Sequence, residues 1–178
     1  MYIRLFPLSL PVSIGLLVIR LIFGLLMAGH GAQKLFGWFG GYGLAGTGGW
    51  FESIGYKPGK LFAALSGLSE FSSGLLIAFG FLGPVGPALV LSVMIVAAIT
   101  VHRTNGLFAG TNGIEIPLLY IAVADGLALT GFGRFSLDAV THLNRLWTPN
   151  VVFVIVIIGI VGGLANVLIR RPPPTTVA

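Results

Sequence analysis

The sequence predicts an all-α integral membrane protein: a four-helix transmembrane bundle followed by a fifth, C-terminal transmembrane helix. Three observations carry this. Hydrophobic residues make up 56% of the 178 residues and charged residues only 8%, against about 25% charged in ordinary soluble domains. Five apolar runs approach the roughly 20 residues needed to cross a bilayer. Gly- and Pro-rich punctuation falls between those runs.

The first run, residues 12–36, is too long for a signal-peptide core and is interrupted by Arg20, so it is expected to stay as a helix. The second covers residues 61–82 and the third 85–103, joined by the tight "GPVGP" connection at 83–87. "NGLFAGTNG" leads to the fourth run, residues 114–132, and "GRFSLDAVTHLNRLWTPN" to the fifth, residues 150–170. Residues 1–140 thus read as the bundle, with a Gly-rich capping loop at 37–60. Residues 141–171 read as a connection plus the fifth helix, and 172–178, rich in Pro, as a disordered tail. The fifth run is nearly pure Val, Ile and Gly, so it reads as facing lipid or a partner, with "GIVGG" suited to close packing.

The charge of +5 comes from few residues, and the chain has no cysteine. Disulfides, cysteine-ligated iron–sulfur clusters and c-type haem are excluded. The basic residues sit at run ends with no interleaved basic–aromatic patch, so they read as a topology signal and not as a nucleic-acid footprint. Lys34, Lys57, Lys60, Arg103, Arg170 and Arg171 fall on one face, and Arg4, Arg134 and Arg145 on the other. The positive-inside rule then places the Gly-rich loop and the C-terminus in the cytoplasm.

Ionisable groups at bilayer depth are functional candidates by default. On a helix, Arg20, His30 and Lys34 fall within an arc of about 80°, with Gly24, Met27 and Gly31 on or beside the same stripe. Ser66, Ser69, Glu70 and Ser73 form a second polar stripe. Asp125 lies mid-way along the fourth run. Arg20, Glu70 and Asp125 are therefore expected at similar depth, as a buried charge cluster. Alternating topology gathers His30, Lys34, His102 and Glu115 on one membrane face, under the 37–60 loop, with Glu70 a few turns below.

Bland readings compete at each position. His30 and His102 suit ordinary interfacial hydrogen bonds, and two histidines on separate helices are too weak a signal to expect haem b. Lys34 suits snorkelling to the headgroups, and Trp38, Trp50 and Trp147 suit an aromatic belt. The charge cluster suits a purely structural role in fixing register. Gly41, Gly43 and Gly46 spell G-x-G-x-x-G, but no strand precedes them, so no nucleotide site is expected. No metal site is expected either.

Several motifs in order resemble the DoxX family of small bacterial and archaeal membrane proteins. They are "HGAQKLFGWFGGYGLAGT", the Glu-containing "LFAALSGLSEFSSGLLIAFGFL", "VAAITVHRTNGLF", and "GIEIPLLYIAVADGLALTGFGRFSLDA". Together they span roughly residues 14–140. Arg20, His30, Gly31, Lys34, Glu70, His102, Glu115, Arg134 and Asp138 fall on the family pattern. The resemblance implies a four-helix bundle and an oxidoreductase link, since the family is named for similarity to a membrane subunit of a thiosulfate:quinone oxidoreductase.

The combined expectation is a multi-pass inner-membrane subunit that handles quinone and protons. His30, Lys34, Glu70 and His102 would be its catalytic residues, with Arg20 stabilising charge on the reduced ring. Gly31, Gln33, Trp38, Gly41, Gly43 and Gly46 would form the cap, a lid or docking surface for a soluble electron-donating partner, and other subunits or a second copy are expected as partners. The alternatives are a non-catalytic assembly or anchor subunit and a small-solute or proton carrier.

Overall fold

The computed structural model describes residues 9–171. Arg4 and the tail expected to be disordered lie outside the described residues. Seven α-helices follow in order: α1 Leu10–Phe36, α2 Gly43–Ser53, α3 Gly59–Phe79, α4 Val85–Ala97, α5 Glu115–Thr130, α6 Leu137–Val140 and α7 Pro149–Ile169. A π-helical turn, Ala98–His102, extends α4.

Among the described residues, four helices are long and apolar enough to cross a membrane: α1, α3, α4 with its extension to Asn105, and α7. The fourth expected span is shorter than its run. α5 holds 16 residues, about 24 Å of helix, because Gly131 and Gly133 take left-handed φ and end it. It still joins the two ends of the bundle. Its first turns meet His30 and Phe23 through Tyr120, and its far end meets Arg20 at Phe132.

α1 and α3 run antiparallel in close contact. Gly24 lies against Gly74 and Ala78, and Gly31 against Gly67 and Phe71. A Cβ on Gly24 would stand 2.6 Å from the Gly74 carbonyl, and one on Gly31 would overlap the Phe71 backbone. Paired small residues two helical turns apart allow this approach in lipid, where dispersion and close packing drive association. Phe23, Met27, Ile77, Leu91 and Leu127 fill the core behind it. Gly37 (φ 73°) and Gly80 (φ 66°) end α1 and α3 in the left-handed conformation that glycine adopts without strain.

Two expectations change. The Gly-rich loop is not a bare turn, because residues 43–53 form α2, with Gly43 and Gly46 inside it. Glycine is a poor helix former, but Thr47, Gly48 and Phe51 are buried against the rest of the chain, so packing overrides propensity. The fifth helix keeps most of its surface exposed, as expected of a lipid-facing helix, but it is not separate from the bundle. Gly159 and Gly163 of α7 press on the α4 backbone at Ala88 and Ser92, the role that "GIVGG" suggested. Arg170 then donates to the Ile54 carbonyl (2.6 Å) and the Arg171 N–H to that of Gly55 (2.9 Å), tying the end of α7 to the cap.

Gly31→Ala is expected to destabilise the bundle by about 1–3 kcal/mol, lowering the melting temperature in detergent. Gly29→Ala, where an added Cβ meets nothing within 4 Å, is expected to raise it slightly through better helix propensity.

Candidate functional site

α3 and the extended α4 enclose a cavity of about 440 Å³ at the cap end of the bundle. Phe62, Ser66, Ser69 and Glu70 recur along α3 at helical spacing and line it. Val93, Met94, Val96 and Ala97 of α4 supply an apolar wall, continued by Thr100, Val101 and His102 of the π-turn. π-turns inside α-helices occur frequently at functional sites. α2 covers the cavity with Trp50 and Phe51, and Tyr120 and Ile116 of α5 form a further side. Its volume lies in the usual range of small-molecule sites, about 300–1,000 Å³.

His30, Lys34, Glu70 and His102 all line this one cavity. The Lys34 ammonium and the Glu70 carboxylate form an ion pair, the carboxylate 3% exposed and the lysine 25%. Ser66 donates a long hydrogen bond to the second Glu70 oxygen (3.4 Å). His30 Nδ1 lies 3.3 Å from Gln33 Oε1, and its ring meets Tyr120 edge-on at 6.1 Å. His102 Nδ1 lies 2.8 Å from the Asn112 carbonyl, which places the proton on Nδ1 and leaves Nε2 free.

The expected Arg20–Glu70–Asp125 cluster does not form. Arg20 is 1% exposed and packs against Gly80, ten residues and thus about 15 Å of helix beyond Glu70. Its guanidinium donates to the carbonyls of Phe132 and Phe135 and stands over the Phe132 ring. It serves the end of the bundle away from the cap. Asp125 lines neither the cavity nor the Arg20 site and has no ion-pair partner among the described residues. Glu115 also leaves the expected group, accepting instead from the Ala109 N–H (2.7 Å) to close the 106–114 turn.

The remaining motif residues are structural or exposed. Asp138 is buried and accepts from the N–H groups of Leu82 (2.9 Å) and Gly83 (2.7 Å) and from the Trp147 indole (2.8 Å). Trp147 is therefore a latch and not a free belt residue. Arg134 is exposed. Gln33 bridges His30 to the Phe39 carbonyl (3.2 Å). Trp38 is exposed, and Gly41 abuts the Gln33 backbone.

Sequence reasoning missed Tyr56, Thr100, Tyr120 and Asn166, which also line the cavity. Tyr120 and Asn166 had a legible signal, a polar tip inside an apolar run. Tyr56 had none, because only the fold of α2 brings it inward. Its buried hydroxyl has no hydrogen-bond partner. Burial pushes its pKa up, against smaller downward pulls from Arg170 and Thr100.

Fold and site together define a small multi-pass membrane protein with a largely apolar cavity, tipped by polar side chains, among its helices. A sequence profile of the DoxX family matches residues 15–103, half of the chain, and the protein belongs to that family. The chain is 29% identical over 138 residues to the inner membrane protein YqjF of Escherichia coli (strain K12), an alignment covering 76% of this chain and 96% of that relative. No solved structure matches it.

Lys34→Met leaves Glu70 buried without its cation and is expected to cost about 3–5 kcal/mol, seen as a fall in melting temperature. Adding Glu70→Gln should recover most of that loss. A double variant as unstable as Lys34→Met alone would show that the pair contributes packing and not charge.

Proposed function

We propose that this protein is the membrane subunit of a quinone-linked oxidoreductase and that the cavity beneath α2 receives the quinone ring. One observation carries the reading: two histidines, a lysine–carboxylate pair and two tyrosines share one largely apolar cavity of about 440 Å³. The residues present fit such a group, with apolar walls for a ring and hydrogen-bonding tips for its carbonyls. Ile116 and Leu65 line the cavity while about half exposed on the outer surface, which suits entry from lipid.

A bound quinone would supply reversible two-electron, two-proton carbonyl chemistry. His30, His102 and Tyr120 orient a carbonyl by hydrogen bonds. Glu70 holds or releases a proton within the low-dielectric interior, and Lys34 balances its charge. Arg20 takes no part, because it is engaged at the other end of the bundle. The electron donor reaches the cap face as a separate subunit, sulfur-compound oxidation being the chemistry to which the family resemblance points.

Protein purified in mild detergent is expected to release quinone on organic extraction. Glu70→Gln should lower electron transfer to quinone about 100-fold or more, the usual scale for a lost proton-transfer group. An extract without quinone, together with a fully active Glu70→Gln variant, overturns the reading and favours an assembly subunit.

A further inference from the structure

A second cavity, of about 460 Å³, lies between the last turn of α1 and one face of α2. Gln33, Gly41, Tyr42, Gly46 and Thr47 line it. Lys34 and Trp50 line both this outer cavity and the inner one. The two spaces are therefore neighbours, divided by these two side chains. The partition is chemically uneven, since Lys34 reaches through it to pair with Glu70 and Trp50 is a hydrophobic plate.

Three observations place water in the outer cavity. α1 has 27 residues, about 40 Å of helix against about 30 Å of hydrocarbon, so its last turn stands at headgroup level. Lys57, Lys60, Arg103 and Arg171 are exposed around the same end of the bundle, the pattern of a membrane–water boundary. Thr47 is 7% exposed, lines the cavity, and its hydroxyl makes no hydrogen bond among the described residues. A helical threonine often bonds the carbonyl four residues back. A hydroxyl lining a cavity without a protein partner is a position that water satisfies.

We propose that the outer cavity is a water-filled antechamber through which protons reach Glu70, with Lys34 carrying them across the partition. The Lys34 ammonium gives a proton to the Glu70 carboxylate, leaving an amine and a carboxylic acid. Hydronium from the antechamber then restores the ammonium. The antechamber stands apart from what the inner cavity binds, and only the use made of the proton rests on the proposed function.

The absence of native cysteine makes single-cysteine reporters direct. In proteoliposomes, Thr47→Cys and Tyr42→Cys should react with a charged methanethiosulfonate about tenfold or more faster than Ser69→Cys in the inner cavity, since access governs thiol labelling. An uncharged maleimide should label all three. Equal rates with the charged reagent would merge the cavities into one aqueous cleft, and protection of both outer cysteines would make the outer one dry; either overturns the antechamber.

The carrier role is tested with Lys34→Arg, which keeps the ion pair and hence the fold but does not deprotonate. The carboxylic-acid infrared band of Glu70, assigned by its loss in Glu70→Gln, should grow about tenfold more slowly after an external acid jump in Lys34→Arg than in the unmodified protein. An unchanged rate removes Lys34 from the route. Neither readout uses quinone, so its absence from the same preparations sinks the proposed function alone.

Discussion

The structure depends on the backbone contact between α1 and α3. Gly24 and Gly31 on one helix and Gly67 and Gly74 on the other leave no room for side chains between them. That contact fixes the sliding register of the two helices as firmly as a row of large side chains would, because a shift of one residue would bring a Cβ onto a backbone carbonyl. Each glycine weakens its own helix by roughly 0.5–1 kcal/mol. The close approach offsets this with dispersion over the whole seam. Register in turn decides electrostatics. With Gly31 held against Gly67 and Phe71, Lys34 falls beside Glu70, and Arg20 falls beside Gly80.

The charges consequently separate into independent centres. At the end away from the cap, Arg20 gives its two terminal guanidinium nitrogens to peptide carbonyls and stands over an aromatic face, with its Nε unpaired, while Asp138 accepts from two peptide N–H groups and an indole. Both are acceptable in a dry interior because each charge meets oriented dipoles. These contacts tie the 80–83 turn, the 131–138 segment and Trp147 together, so that end is a lock. At the cap end the pair of opposite charges adjoins open space on both sides. Buried charge anchored to the backbone holds a fold together; buried charge beside a cavity is available to a ligand or a proton.

What was legible in the sequence followed from composition and periodicity. The apolar runs gave the long helices, and topological alternation brought His30, Lys34, Glu70 and His102 to one end. Depth was not legible. Counting from helix ends places Arg20 near the level of Glu70, but α1 and α3 are offset by their glycine contact, and nothing in either run alone reveals that offset. α2 was hidden for a related reason. Its glycines read locally as a turn, and only burial of Thr47, Gly48 and Phe51 against the rest of the chain makes a helix the better state. Tyr56 was invisible with it, since α2 determines where Tyr56 points.

The match to the family profile ends at Arg103. It contains His30, Lys34, Glu70 and His102, but not the whole of the enclosure. Tyr120 and Ile116 come from α5, and Asn166 comes from α7, which the Arg170 and Arg171 contacts bind to the 54–55 turn. Chemistry and enclosure are thus carried by different parts of the chain. The division matters physically because the free energy of a buried ion pair depends more on the dielectric around it than on the pair itself. The same lysine and glutamate in an open groove would be a surface salt bridge of little consequence. Enclosed with the help of α5 and α7, they are an ion pair held between two cavities.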